Sequence, residues 1–417
     1  LKPEGQWNRY EISYRKGRFV VHLNGELIQD IDTLGHPALR DRLTEGYIGL
    51  QNHRDDVRFR NVWIRPGPRS EGRARIEHFP RIMKGQQPAL SLDRLGVLRV
   101  VASTPDGLVF SSGRVGERWD EPVLIPGTEN AVQYDLFDYP GNSQPLVVWS
   151  DGERMYQSSY DGQRWKTPEQ VAVEGRTCNP CVPWAAQWEH YFSYVEETDD
   201  TETIHLHMLD PNREPVNHRE LAKGKDFSLL QALVVDSRWT VITSWAGLPP
   251  GGNSNAERCI GLVRARLEAD RVEPVHWFTD RPAAGPVVPC YGYDRTFSML
   301  RPVNKQKQIV WCHTTPYGSI AEHGPDLPVG VWSGDAAPMP VLRPLGDGYV
   351  AAWTRDTADG KRINWTWYDG LRWNPEGDFE GCTASGDPDS GFSGRSVYFV
   401  WPGTDGYIHA ERVALVE

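Results

Sequence analysis

The side chains best suited to chemistry lie beside a set of short apolar runs. Asp151, His313 and Arg355 follow three of these runs, where an apolar segment gives way to polar residues. A second group precedes other runs and comprises Asn179, Trp184, Tyr291, Asp335 and Asp387. Carboxylates and amides hydrogen-bond to hydroxyl groups, and planar rings stack on the apolar faces of sugars. This mixture of residue types therefore favours a carbohydrate site.

Four of these side chains could take part in bond cleavage. His313 titrates near neutral pH and could be a general acid or base, or else an ordinary hydrogen-bonded loop histidine. Arg355 could neutralise a uronate or stabilise an enolate in a lyase, or else form a salt bridge. Asp335 or Asp387 could serve in inverting or retaining hydrolysis, where the separation of two carboxylates decides the outcome. We predict catalytic roles for His313, Arg355 and Asp335. We predict substrate binding by Asp151, Asn179, Trp184, Tyr291 and Asp387.

A repeat of the apolar runs predicts how these residues meet. The run Leu146–Ser150 is rich in Val and Trp and breaks into the turn Asp151–Gly152. Related runs close at positions 103, 149, 194, 245, 311, 353 and 401. One strong strand about every 50 residues is typical of a propeller or a solenoid, and seven copies indicate seven blades. In a propeller, the loops after each second strand and before each first strand share one face. We therefore predict an all-β chain whose candidate residues surround a central channel. Because a propeller closes on itself, we also expect the segment near Ala74–Arg81 to pair with the last blade.

A second motif supports the same repeat. It occurs as Gly116–Trp119, Gly162–Trp165 and Gly370–Trp373, each followed by Pro within three residues. The longer segment Ser159–Trp165 resembles the Asp-box turn of sialidase-like propellers. The resemblance implies the propeller fold only, because the sialidase catalytic pattern is not evident. We expect these tryptophans, and those that close the apolar runs, to pack between neighbouring blades.

The first 66 residues differ from the repeats. They predict one hairpin turning at Asn24–Gly25 and a second built from Gly46–His53 and Val57–Arg65. Five strands are too few to close a two-sheet sandwich, so we expect the other half of this domain to precede Leu1. We predict a partial domain at residues 1–66, a Pro- and Gly-rich linker at 67–72 and the propeller at 73–417.

Several motifs in this segment point to a family. Gly5–Ile12, His22–Gly25, Gly46–His53 and Phe59–Arg65 together resemble the C-terminal half of the 3-keto-disaccharide hydrolase domain. That family has a concanavalin-like jelly roll and occurs in bacterial carbohydrate-active proteins. The resemblance implies an incomplete jelly roll in which Gln51, His53 and Arg60 line a 3-keto-glycoside-processing cleft, with His53 catalytic. The alternative is an ordinary polar face on which His53 caps a turn.

Composition excludes several classes of function. The formal net charge of -11 argues against nucleic-acid partners, which require a basic face. We expect no membrane span, because no apolar run reaches the required length. The chain shows no signal peptide, although a carbohydrate partner favours a periplasmic or secreted protein. Of the six cysteines, Cys178 and Cys181 form a pair, which we interpret as buried or loop thiols rather than a metal site. No nucleotide-binding, zinc-protease or α/β-hydrolase motif is present.

The combined prediction is a carbohydrate-active protein that cleaves glycosidic bonds. One alternative is a lectin-like propeller without catalysis, which the spread of Trp over most blades favours. A second alternative is a polysaccharide lyase. The pattern requires no cofactor and allows a divalent cation, and it does not specify the oligomeric state.

Overall fold

The structure is a computed structural model. It describes residues 2–3, 5–15, 18–32, 58–63, 73–93, 96–114, 117–138, 144–171, 176–181, 190–198, 201–209, 215–228, 230–235, 240–250, 257–266, 271–291, 297–314, 324–346, 348–370, 372–379, 383–393 and 396–416. The chain divides into two compact units, Leu1–Arg73 with Val416–Glu417, and Ala74–Leu415. Across the described residues we find no helix with the length and apolar character that a membrane crossing requires.

The first unit contains a three-stranded antiparallel sheet of β1 (Tyr10–Arg15), β2 (Arg18–Leu23) and β3 (Glu26–Asp32). The turn between β2 and β3 is the predicted one, since Asn24 and Gly25 have φ values of 54° and 90°. Most residues of the predicted second hairpin lie outside the described residues. Residues 58–63 are described and form no strand, which differs from the prediction for Val57–Arg65.

The second unit is built from seven sheets of four or five strands in its described part. Strand β4 (Arg73–Lys84) precedes them in sequence. The first sheet contains β5 (Gln86–Leu92), β6 (Leu98–Thr104), β7 (Gly107–Gly113) and β8 (Val123–Leu124). The second contains β9 (Gln133–Asp138), β10 (Pro145–Ser150), β11 (Met155–Ser159) and β12 (Glu169–Gln170). The third contains β13 (Arg176–Cys181), β14 (His190–Glu197), β15 (Glu202–Leu209) and β16 (Pro215–Gly224).

The fourth sheet contains β17 (Gln231–Val235), β18 (Thr240–Gly247), β19 (Cys259–Arg266), β20 (Arg271–Val272) and β21 (His276–Pro282). The fifth contains β22 (Val288–Tyr291), β23 (Phe297–Val303), a 3-10 turn (Lys305–Lys307), β24 (Gln308–His313) and β25 (Leu327–Val331). The sixth contains β26 (Val341–Leu345), β27 (Gly348–Thr357), β28 (Gly360–Tyr368) and β29 (Gly377–Asp378). The seventh contains β30 (Asp389–Ser393), β31 (Ser396–Pro402) and β32 (Tyr407–Val416), and β4 adds its outer strand.

The sheets form a closed ring, which is the architecture of a β-propeller. The first strands of successive sheets are neighbours, and the first strand of the seventh sheet returns to β5. The third and fourth sheets are linked by a hydrogen bond between the thiol of Cys181 and the main chain of Ala232. The all-β prediction is confirmed. Such a ring protects strand edges that would otherwise pair with other chains.

The pairing of β4 with β32 joins the start of the propeller to its end. Polar and charged side chains tie the two strands together: Arg412 lies 3.1 Å from Glu77, and His78 Nδ1 lies 2.7 Å from the buried Glu411. The sequence predicted this pairing for Ala74–Arg81. Because the closing strand comes from the other end of the repeats, the last sheet cannot separate without breaking these contacts.

The tryptophans that close the apolar runs form the core between the sheets. Five of them are 0–1% exposed: Trp149, Trp245, Trp311, Trp353 and Trp401. In the Asp-box-like turn, the Asp161 carboxylate accepts hydrogen bonds from the amides of Gln163 and Arg164 at 2.8 and 2.9 Å. This turn places the Trp165 ring 5.2 Å from Phe110 of the first sheet. The expected packing of tryptophans between sheets is therefore observed.

Candidate functional site

The first strands of the sheets enclose a central channel with a volume of about 980 Å³. Six of these strands contribute to its lining, namely β5, β9, β13, β17, β26 and β30. The charged side chains of the described lining are Asp135, Arg343, Asp387 and Asp389, and the amides are Gln86, Gln87, Gln133 and Gln231. Such a set can donate and accept hydrogen bonds in many directions, as recognition of a polar ligand requires.

Asp387 stands just before β30 and is positioned by the sixth sheet. Its carboxyl accepts a hydrogen bond from the Thr354 hydroxyl of β27 and another from the Met339 amide. Hydroxyl groups also link other neighbouring sheets. Ser150 Oγ donates to the Thr177 carbonyl at 2.5 Å, and Ser244 Oγ donates to the Val287 carbonyl at 2.7 Å. Burial raises the pKa of the Asp387 carboxyl, and these hydrogen bonds lower it only in part.

Asp389 lies two residues further, at the start of β30. Its carboxyl accepts hydrogen bonds from the Leu90 amide at 2.6 Å and from the Ser390 amide at 2.7 Å. Burial raises the pKa of Asp389, while the charge of Arg343 lowers it in part. This carboxyl therefore links the seventh sheet to the first as well as facing the channel.

Arg343 of β26 supplies the one positive charge among the described residues that line the channel. Its Nε and Nη2 donate to the Ser390 carbonyl at 3.2 and 2.9 Å, and its Nη1 donates to the Leu342 carbonyl at 2.9 Å. Burial lowers the pKa of the guanidinium, and the charge of Asp389 opposes this change. The side chain is 6% exposed, so its position is fixed by the sixth and seventh sheets.

The second sheet provides Gln133, Tyr134 and Asp135 to the channel. The Tyr134 hydroxyl donates to the carbonyls of Gln86, at 3.1 Å, and Gln87, which holds β9 against β5. Burial raises the pKa of the Tyr134 phenol far above its ordinary value, so it stays protonated. Asp135 accepts a hydrogen bond from the Leu136 amide at 2.8 Å.

Of the residues predicted from sequence, Asp387 lines this channel. Asp151 instead occupies the turn after β10, where it accepts hydrogen bonds from the amides of Glu153 and Arg154 at 2.9 and 2.7 Å. Burial raises the pKa of Asp151, but these hydrogen bonds together lower it by more, so the pKa lies below its ordinary value. Tyr291 ends β22 and packs against the apolar core of the fourth and fifth sheets.

The predicted catalytic side chains in the second unit do not line the channel. His313 stacks on Trp311 with ring centroids 4.4 Å apart, and its Nδ1 lies 2.9 Å from the Thr314 carbonyl. Arg355 lies 3.6 Å from Glu376, as in the alternative salt-bridge interpretation. Asp335 is exposed in the segment between β25 and β26. The structure therefore does not bring these three groups together with Asp387.

In the first unit, the Arg60 guanidinium lies 4.0 Å from the centroid of the Trp7 ring, a cation–π contact. Gln51, His53 and Trp184 lie outside the described residues, so their predicted roles stay predictions. Asn179 belongs to β13, and its side chain lies outside the described part of the chain.

The prediction from sequence considered residues in loops. It therefore missed the channel residues that lie inside the strands, namely Arg343, Asp135, Gln133 and Gln231. The available signal was a charged residue in a short apolar strand, such as Arg343 within Val341–Leu345. A charge buried within such a strand must be paired or face a polar cavity.

No group of three or more His, Cys, Asp or Glu in the described residues is arranged to hold a metal ion. The five described cysteines are free thiols, and four of them are buried: Cys181, Cys259, Cys290 and Cys312. Of the predicted pair of buried or loop thiols, Cys181 is buried and Cys178 is half-buried.

A known protein family matches the first of the two units in sequence. Residues 1–65 match the family model of the 3-keto-alpha-glucoside-1,2-lyase-like domain, and the resemblance of this segment is thereby confirmed. No curated protein matches the chain in sequence.

Solved structures resemble the chain at low sequence identity. The polysaccharide lyase Uly1 is 7% identical, with 80% of this chain and 90% of that chain covered and a TM-score of 0.53. The GH93 alpha-L-arabinofuranosidase of Fusarium graminearum is 10% identical, with 68% and 93% covered and a TM-score of 0.45. The Hadza microbial sialidase Hz136 is 10% identical, with 80% and 66% covered and a TM-score of 0.41. The likeness to the lyase shows a shared fold.

Proposed function

We propose that this protein binds a poly- or oligosaccharide at the mouth of the central channel and cleaves a glycosidic bond there. The observation that carries the proposal is the channel of about 980 Å³ with carboxyl and amide groups on several of its strands. The match of residues 1–65 to a carbohydrate-active domain family supports the same class of substrate.

The size and lining of the channel suit a sugar chain. Ligand sites in proteins range from about 300 to 1,000 Å³, so this cavity is large enough for more than one sugar ring. Gln133 and Gln231 contribute amides from two different strands, and each amide both donates and accepts. Sugar hydroxyls have the same dual character, whereas an apolar ligand would leave these groups unpaired.

Asp387 is the group we assign to proton transfer. General acid catalysis of glycoside cleavage requires a carboxyl that stays protonated until it meets the leaving oxygen. Burial raises the pKa of Asp387, and a hydrogen bond from the Thr354 hydroxyl of β27 fixes the position of the carboxyl. Its proton would pass to the glycosidic oxygen as the bond to the anomeric carbon breaks, and water would complete the hydrolysis.

The lectin alternative loses part of its support. It depended on tryptophans acting as repeated stacking platforms around the ring. Trp149, Trp245 and Trp353 are 0–1% exposed, so their rings cannot receive a sugar. The channel is instead a single feature on the axis of the ring, as an enzyme with one site requires.

The proposal is tested by release of reducing ends from a broad panel of glycans and 3-keto-glycosides. Asp387→Asn keeps a side chain of the same size that can accept the Thr354 hydrogen bond but has no acidic proton. We expect at least a ~100-fold loss of kcat with little change in KM. Asp359→Asn, at an exposed hairpin position with its side chain 82% exposed, is the matched control and should leave turnover unchanged.

The residues predicted from sequence are tested in the same assay. A loss of kcat in His313→Ala or His53→Ala that exceeds the loss in Asp387→Asn would move the catalytic centre away from the channel. Full activity of Asp387→Asn would contradict the proposed proton donor. An absence of turnover on the whole panel would contradict the proposed function.

A further inference from the structure

One of the hydroxyl groups that link neighbouring sheets contacts a carboxyl group instead of the main chain. Ser150 and Thr354 hold equivalent positions in the repeat, because each follows the buried tryptophan that closes its apolar run. Ser150 Oγ donates to a main-chain carbonyl of the next sheet, that of Thr177. Thr354 Oγ1 donates to Oδ1 of Asp387. Between the sixth and seventh sheets, the linking hydroxyl therefore contacts a titratable side chain that lines the channel.

The Thr354 hydroxyl constrains where the acidic proton of Asp387 resides. A neutral carboxyl has one carbonyl oxygen, which accepts hydrogen bonds, and one hydroxyl oxygen, which carries the proton. Because Oδ1 of Asp387 accepts the bond from Thr354, the proton is favoured on Oδ2. Thr354 is 6% exposed, so bulk water has little access to the contact. The carboxyl is thereby held in one protonated form.

The same hydrogen bond becomes stronger when the proton leaves. A hydroxyl donates a stronger hydrogen bond to a carboxylate than to a neutral carboxyl. The Thr354 hydroxyl therefore stabilises the ionised form of Asp387 more than the neutral form, and it lowers the pKa that burial raises. An interaction that gains strength on the way to the transition state lowers the barrier of the reaction.

Two further groups act on Asp387, each with a smaller effect on its pKa than Thr354 has. The Met339 amide donates a hydrogen bond to the carboxyl, and the charge of Lys361 on β28 favours the ionised form. The Met339 contact comes from the main chain, and Lys361 acts through its charge alone. The Thr354 hydroxyl is thus the contact on Asp387 that a side-chain substitution can remove without changing a charge.

We propose that Thr354 is a positioning residue for the cleavage reaction. Its hydroxyl keeps the acidic proton of Asp387 on Oδ2 and stabilises the carboxylate that remains after the proton has passed to the glycosidic oxygen. This inference rests on the proposed function and deepens it. A merely structural link between the sixth and seventh sheets would contribute to stability and leave the proton transfer unchanged.

The inference is tested on the full chain with Thr354→Val, which keeps the shape of the side chain and removes the hydroxyl. We expect kcat to fall at least ~10-fold with little change in KM, on the panel substrate that wild type cleaves. The alkaline limb of the pH–kcat profile should move about 1 pH unit higher, because the acid has become weaker. Thr354→Ser keeps the hydroxyl and should keep most of kcat and the position of the limb. Ser150→Ala removes the equivalent link between two other sheets and is the matched control, with both quantities unchanged.

A second readout does not depend on turnover. The pKa of Asp387 is measured without ligand by NMR titration of isotope-labelled aspartate, with the signal assigned from Asp387→Asn. It should be higher in Thr354→Val than in wild type and close to wild type in Thr354→Ser. An unchanged pKa in Thr354→Val overturns the inference, and so does an unchanged kcat.

The remaining outcomes separate the two proposals. A loss of kcat in Ser150→Ala as large as in Thr354→Val assigns Thr354 a structural role and leaves the proposed function intact. An absence of turnover by wild type on the whole panel contradicts the proposed function, and with it any part of Thr354 in catalysis, whatever the titration shows.

Discussion

The Asp389 carboxyl accepts a hydrogen bond from the Leu90 amide at 2.6 Å, which joins the first strand of the seventh sheet to the first strand of the first sheet. These residues are 299 positions apart, and the contact closes the ring on its channel side. On the outer side, the pairing of β4 with β32 closes it again.

The first prediction concerns this inner closure. Asp389→Ala leaves the Leu90 amide without its acceptor and removes a charge close to the buried Arg343. We expect a loss of about 3 kcal/mol in the free energy of unfolding, measured by urea denaturation. Asp389→Asn, whose side-chain oxygen can still accept the hydrogen bond, should lose less. Equal stability of the Ala variant and wild type would show that the ring does not depend on this contact.

A second prediction concerns three histidines in the third sheet. The rings of His205 and His218 lie 4.5 Å apart, and those of His207 and His218 lie 6.1 Å apart. The nearest acidic partner on β14 is Glu196, whose carboxyl lies 2.7 Å from His205 Nε2. Burial, together with the charge of His218, lowers the pKa of His207 to about 4 from 6.5.

The sign of the resulting pH dependence follows from linkage. The unfolded chain binds a proton at His207 below pH 6.5, and the folded chain does so only near pH 4. The contribution of His207 to the free energy of unfolding is therefore complete above pH 6.5. It falls by about 3 kcal/mol as the pH drops towards 4. Urea denaturation between pH 4 and 7 should show a shallower dependence in His207→Gln than in wild type. Identical pH profiles would contradict the assignment.

A third prediction concerns the packing of a closing tryptophan. The Trp245 ring covers the backbone of Gly261 on the paired strand, so a Cβ added at Gly261 would overlap the ring. Gly261→Ala should cost about 1–3 kcal/mol in the free energy of unfolding, because the core would have to move. At Gly391 an added Cβ would meet its nearest neighbour at an ordinary 3.5 Å, so Gly391→Ala is the matched control. Equal destabilisation of both variants would contradict this account of the core.

The architecture could be predicted from sequence because its signals are local and repeated. The turn at Asn24–Gly25 requires positive φ values, and the sequence places residues there that adopt them readily. Each apolar run is buried on both faces, so it appears as an uninterrupted hydrophobic segment such as Leu146–Ser150. The pairing of β4 with β32 followed from the need to protect the strand edges.

The site was harder to predict, because it depends on side chains inside the first strands. Val341–Leu345 is buried throughout, so alternation does not reveal that Arg343 borders a channel. Loop residues were easier to identify from sequence, but some of them form hydrogen bonds only within their own turn. Asp151, for example, accepts a hydrogen bond from an amide of the turn it occupies. Asp387 was found because it stands at the point where a loop meets a first strand.

The central claim is that one glycan binds per chain, at the central channel of the ring. The most direct measurement is the calorimetric stoichiometry of the best-binding oligosaccharide with wild type and with Gln231→Trp, which places an indole in the channel beside β17. The account predicts one site per chain in wild type and loss of binding in the variant, with the same unfolding midpoint. Undiminished binding by Gln231→Trp, or several equivalent sites per chain, would contradict it.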